Sequence, residues 1–149
     1  MAIAITAVVG YGATIGMDPA GGTTYVTILE VTSISGGGYA VSTAESTHLA
    51  SPSGFREFRP GLNAIPEITV TGNWVCTAAS QTQISTWMIT AASAARIIPA
   101  WIITYTDSGA ATDAFYGIPT SFTPEISGAD SIVTYTLTIQ PTSLPVRTA

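Results

Sequence analysis

Lysine does not occur in this chain, histidine and cysteine occur once each, and charge of either sign is scarce. Each shortage removes a class of explanation. Cys76 alone cannot form an internal disulfide or a cysteine-rich zinc site. With His48 as the only imidazole, a metal site would need a dense carboxylate cluster. The carboxylates Asp18, Glu30, Glu45, Glu57, Glu67, Asp107, Asp113, Glu125 and Asp130 are scattered and make neither an EF-hand nor a close dyad. Four arginines against nine acids leave a net charge of −5, which argues against a nucleic-acid binder, since such proteins neutralise phosphates with Lys and Arg. The Gly-rich stretches "GYG" and "GGG" lack the P-loop lysine and the Rossmann spacing, and there is no G-x-S-x-G elbow. A Ser-His-Asp site would have to use His48, near Ser46 and Ser51, but a triad is recognised by geometry and not by sequence proximity. His48 therefore reads as a hydrogen-bonded loop residue. No enzyme activity and no cofactor are expected. No apolar run approaches the ~20 residues of a membrane span. The opening "MAIAITAVVGYGATIGM" has no basic region before its apolar run and is broken by Gly10 and Gly12, so use without Sec export is expected.

What is present is apolar and hydroxylated. Hydrophobic residues make up 46% of 149, enough for one domain (1–149) with a full core and too many for disorder. Charged residues are 9%, against about 25% in an ordinary soluble domain. Fourteen serines and 24 threonines take over as solubilising groups. A chain so poor in charge tends to associate, so much of its surface is expected to lie against partners. The plainer reading is a secreted, Thr-rich β domain.

Residues 1–22 show no clean period and are expected to form an N-terminal arm. The β-branched run "TYVTILEVTSIS" (24–35) predicts a strand, "GGG" (36–38) a turn and "YAVSTAE" (39–45) a second strand. The stretch 46–64, "STHLASPSGFREFRPGLNA", predicts a long loop running to Ile65. Loops beyond about 12–15 residues in compact domains are usually functional or ordered by a partner. "PEITVTGNWV" then alternates: Glu67, Thr69, Thr71 and Asn73 on one face, Ile68, Val70 and Trp74 on the other. Ser80 with Gln83 has capping-box spacing, and Ile84, Trp87, Met88 and Ala91 make a helical apolar stripe that should end before Pro99. "IIPAWIITYT" (97–106) predicts a strand buried on both faces, with a turn at 107–109. "AFYGIPTSFT" predicts a strand interrupted by Gly117 and Pro119. "GAD" (128–130) marks a turn, and "SIVTYTLTIQ" sets Val133, Tyr135, Leu137 and Ile139 against Thr134, Thr136 and Thr138. A proline-marked tail closes the chain (140–149). The class is mainly β: a β-sandwich or open barrel of six or seven strands with one flanking α-helix.

"STAESTHLASPSGFREFRPGL" followed by "EITVTGNW" resembles the major tail tube proteins of long-tailed (siphovirus-type) bacteriophages. Thr47-His48, Gly54, Arg56-Glu57-Phe58 and Pro60-Gly61-Leu62 carry the resemblance, over roughly 30 residues. A long loop returning into an alternating strand, then a helix, then a C-terminal β region follows the same order. The resemblance implies a tail-tube fold and a structural subunit of the virion tail, assembled in the host cytoplasm. It implies hexameric rings stacked into a tube, with tape measure, tail-tip and terminator proteins as partners and DNA passing through the lumen without specific binding. The 46–64 loop would reach a neighbouring subunit through His48, Arg56, Glu57, Phe58, Arg59 and Leu62. A smooth, weakly acidic lining would come from Glu67, Thr69, Thr71, Asn73, Thr134, Thr136 and Thr138. Two alternatives stand beside it: a virion decoration or adhesin-type β binding module, and the tube protein of a related contractile or secretion machine.

Overall fold

The structure, a computed structural model, describes residues 10–90, 97–106 and 109–148. It is mainly β with one helix. In chain order the elements are β1 (Thr14–Asp18), β2 (Val26–Thr27), β3 (Val31–Gly36), β4 (Ala40–Glu45), β5 (Phe58–Ala64), β6 (Ile68–Asn73), α1 (Ala79–Thr90), β7 (Ala100–Thr104), β8 (Thr112–Glu125), β9 (Thr134–Pro141) and β10 (Val146–Thr148). A single 3-10 turn, Pro52–Gly54, lies between β4 and β5.

Seven strands follow one another through antiparallel pairings in the order β2-β1-β7-β8-β9-β6-β3, and β10 also pairs with β8. β8 belongs to both halves of this sheet. Thr112–Tyr116 pair with β7, whereas Gly117–Glu125 pair with β9. The two outermost strands, β2 and β3, are joined by only three residues, so the far edges of the sheet come together. Each half carries its own ladder into this connection: Ile28 N–H donates to Ile15 O on the β1 side, and Asn73 N–H to Glu30 O on the β6 side. One core results, with Ile15, Met17, Trp101, Ile103 and Phe115 from one half and Ile68, Val70, Tyr135, Leu137 and Ile139 from the other. From α1, Ile84 enters it fully buried, with Trp87 and Met88 packed alongside. The expected helical stripe therefore holds for these three; Ala91 lies outside the described residues.

Several expectations need correction. Ten strands occur among the described residues, not six or seven. The N-terminal arm does not extend over 14–18: those residues form β1, with Ile15 and Met17 wholly buried. Residues 1–9 lie outside the described residues. The run 24–35 is two strands, broken where Glu30 adopts a left-handed backbone (φ 61). The loop 46–64 is shorter, because Phe58–Ala64 pair with β4 as a two-stranded ribbon. Ser80 is no N-cap. It lies inside α1, and its Oγ accepts from Leu29 N–H at 3.3 Å. β7 is not buried on both faces: Trp101 and Ile103 are, but Ile102 is half-buried. β8 runs through Gly117 and Pro119 as one strand, only shifting register between Pro119 and Ser121. A proline is tolerated there because no described strand pairs with the other edge of β8 beyond Tyr116. The C-terminal tail ends in β10. The turn expected at 107–109 lies mostly outside the described residues.

Candidate functional site

β3, β6, β9 and the second half of β8 form a four-stranded surface whose two faces differ. On the core side Val70 and Leu137 are fully buried opposite each other. On the other side the register aligns hydroxyls in rows. Ser35, Thr69, Thr138 and Ser121 make one row, and Ser33, Thr71, Thr136 and Thr123 the next. Ser33 Oγ and Thr71 Oγ1 lie 2.6 Å apart. A third row sets Asn73 beside Thr134 and Glu125, and Asn73 Nδ2 donates to the Glu30 carboxylate at 3.1 Å. Glu67 is exposed just ahead of Ile68, at the opposite end. Thus Thr69, Thr71, Asn73, Thr134, Thr136 and Thr138 share one continuous face, as the alternation predicts. Strands were expected over Ser33 and Ser35 and over Ser121 and Thr123, but their share in this face was not, because those segments lack clean alternation.

The second feature is the β4–β5 ribbon with its connecting loop. Every residue of β5 is exposed, including Phe58 at 57% and Leu62 at 85%. Leu49 and Phe55 in the loop are exposed as well. Polar bonds close the loop's base: Ser46 N–H donates to Glu57 O at 2.8 Å, and Glu57 N–H to Thr47 Oγ1 at 2.9 Å. His48 Nδ1 accepts from Ala50 N–H at 3.2 Å, and its Nε2 stands 3.9 Å from Glu57. Arg56 faces Glu45 at 3.9 Å with both side chains well exposed, a pairing worth about 0–1 kcal/mol. Arg59 is exposed, and no ion pair engages it among the described residues. Own-chain partners thus engage Arg56 and Glu57 weakly, while Phe58, Arg59 and Leu62 point outward from the fold.

Two polar clusters escaped sequence reading because their members are far apart in the chain. Gln81 is 2% exposed, and its amide is fully used. Its Nε2 donates to Leu29 O and Asn73 O at 3.3 and 2.9 Å, and its Oε1 accepts from Val75 N–H at 2.9 Å. The other cluster ties β10 to β8. Arg147 Nε and Nη2 donate to the two Asp113 oxygens at 2.8 Å each, and Tyr105 Oη donates to Asp113 Oδ2 at 2.8 Å. The Arg147 hydrogen bonds hold the Asp113 carboxyl below the usual carboxylate range, while burial and then Asp113 push the Tyr105 phenol up. Both clusters are structural in geometry. Among the described residues no three of His, Cys, Asp and Glu converge as metal ligands would.

No protein-family model and no curated protein matches the sequence. Solved structures do match in fold. A chain from the tail of an empty gene transfer agent particle, refined with C6 symmetry, aligns at TM-score 0.76 and 17% identity, covering 96% of this chain and 100% of that one. A chain from the sheath–tube complex of an extracellular contractile injection system aligns at 0.70 and 15%, covering 96% and 92%. The SPP1 tail tube aligns at 0.62 and 11%, covering 92% and 75%. What this chain shares with these tail and tube components, at such low identities, is the fold.

Proposed function

We propose that this chain is a structural subunit of a tail tube, non-enzymatic, closing into rings that stack around a lumen. The observation that carries the reading is the wet hydroxyl face on a four-stranded surface whose two borders, β3 and the second half of β8, have no outer partner among the described strands. Because β3 and β8 run antiparallel to each other, β3 of a second copy beside β8 of the first continues the antiparallel order. Repeating that head-to-tail contact closes a ring. Open edges, otherwise an aggregation hazard, become the assembly surface. The hydroxyl face then has only the lumen to look into, and its lack of cations suits a passage that must not hold phosphates. The fold shared with chains from tails and tubes supports the same reading.

In this proposal the rings are hexameric, DNA passes without specific binding, and tape measure, tail-tip and terminator proteins meet the tube in a virion tail. The exposed ribbon and the 46–64 segment reach a neighbouring subunit. A contractile or secretion machine is the second reading, favoured by the similarity to the injection-system chain. Electron microscopy of the purified protein tests the class: rings or tubes are expected. A species that stays monomeric at high concentration, with and without tail-tip components, sinks the proposal and leaves a decoration or adhesin-type module.

A further inference from the structure

The junction between β2 and β3 is built by side chains from the helix. Leu29 is an exposed residue in a two-residue turn, yet both of its backbone groups are held. Its N–H donates to Ser80 Oγ and its carbonyl accepts from Gln81 Nε2. The same Gln81 amide nitrogen also donates to Asn73 O. One buried glutamine therefore fixes the two backbone positions that carry Glu30 and Asn73. Glu30 follows with φ 61, a conformation uncommon outside glycine, Asn and Asp. Its carbonyl accepts Asn73 N–H at 2.8 Å and its carboxylate accepts the Asn73 amide at 3.1 Å. The result places a carboxylate at one end of the hydroxyl face, in the row that ends in Glu125 on β8. The far end carries Glu67 alone.

We propose that Glu30 is a channel-lining carboxylate, positioned by Ser80 and Gln81 from the core side of the sheet, and that with Glu125 it makes one end of the lining the more acidic. This rests on the tail-tube reading. The proposal has a physical purpose: a fixed acid repels a passing phosphate more effectively than one free to swing away, because its distance is set by the fold. Ser80 and Gln81 are positioning residues, and neither faces the lumen.

Two measurements test this. The first uses Glu30→Cys in a Cys76→Ser background, treated with a small maleimide or with a maleimide on a bulky polymer. Before assembly both should label. In assembled tubes only the small reagent should. Tubes that the bulky reagent labels as fast as unassembled protein place residue 30 outside, and tubes that neither reagent labels place it in a subunit contact; either result overturns the lining role alone. If no tubes form under any condition, the tail-tube reading falls and the lining role with it. The second needs no assembly. Amide hydrogen exchange at Leu29 and Val75 in the folded wild type should be slow and should accelerate roughly fivefold at Leu29 in Ser80→Ala, whose Oγ accepts the Leu29 N–H, and at Val75 in Gln81→Leu, whose Oε1 accepts the Val75 N–H, as expected for loss of a hydrogen bond of about 1 kcal/mol; in Gln81→Leu the Asn73 N–H on Glu30 O should also lose protection as its strand end loosens. Unchanged exchange overturns the positioning role.

Discussion

Arg147 grips Asp113 through two parallel hydrogen bonds of 2.8 Å, and this fork clamps β10 onto β8. Three ladder pairs, Val146–Ala114, Arg147–Asp113 and Thr148–Thr112, and the Arg147 guanidinium 5.8 Å from the Tyr105 ring centroid otherwise dock a strand whose residues are exposed. Bidentate pairs of this kind combine strength with geometric selection. Asp113 has a lowered pKa in the fold, so its contribution is complete above the unfolded carboxylate value of about 4 and is lost as pH falls through the lower folded value. β10 should therefore stay docked at neutral pH and detach in acid below about pH 4. Asp113→Asn should release it at neutral pH. Hydrogen exchange over 146–148 reads both; protection that persists in Asp113→Asn contradicts the clamp.

Gly72 lies directly opposite Tyr135, whose ring covers it. A Cβ at 72 would meet Tyr135 Oη at 2.7 Å and Cε1 at 2.8 Å, and would press on Glu30 O. Gly72→Ala should cost about 1–3 kcal/mol, the range for overpacking. Tyr135→Phe should behave differently. The buried hydroxyl has no partner among the described groups, and burial pushes its pKa up to about 12. Removing it should be neutral or slightly stabilising. Denaturant midpoints of the two variants check the contrast.

The ribbon should matter to assembly and little to the fold. Phe58 and Leu62 are exposed, so Phe58→Ala should change monomer stability by no more than about 0.5 kcal/mol. The same change should block polymerisation by removing an aromatic anchor from the subunit contact, and Arg59→Ala by leaving a partner charge unpaired, a loss of about 3–5 kcal/mol where the pair is buried. Sedimentation and thermal melts on the same samples separate the two. If both variants unfold the monomer, the ribbon serves its own subunit.

Thr69→Lys and Thr136→Lys should fold, because their face is wet. In tubes each would add a ring of positive charge that attracts phosphates by roughly 1 kcal/mol per close pair in water. DNA retention should rise at low salt and fall as salt increases. Normal assembly with unchanged retention would move these threonines out of the lumen and into a subunit contact.

The legible parts of the sequence were those where a strand has one dry face and one wet face. β6 and β9 alternate cleanly, and so the hydroxyl face could be read from them. β1 could not be read, because "TIGMD" is buried at four consecutive positions and shows no alternation. β5 was missed for the opposite reason: it is exposed throughout, and Arg59-Pro60-Gly61 looks like a turn. The break between β2 and β3 leaves no local trace either. Its position is set by Ser80 and Gln81, some fifty residues away in sequence, and the same tertiary demand turned Ser80 from an apparent helix cap into an internal tie.

β8 is a single strand of 14 residues that belongs to both halves of the sheet. The halves are therefore joined by a covalent chain as well as by side-chain packing. A load that pulls them apart must also strip β8 from β7 or from β9. Where the pull runs along β8, a whole row of ladder bonds is strained together. In the proposed tube, such a subunit should behave under internal pressure as one stiff plate and fail at its borders with other subunits before it fails within.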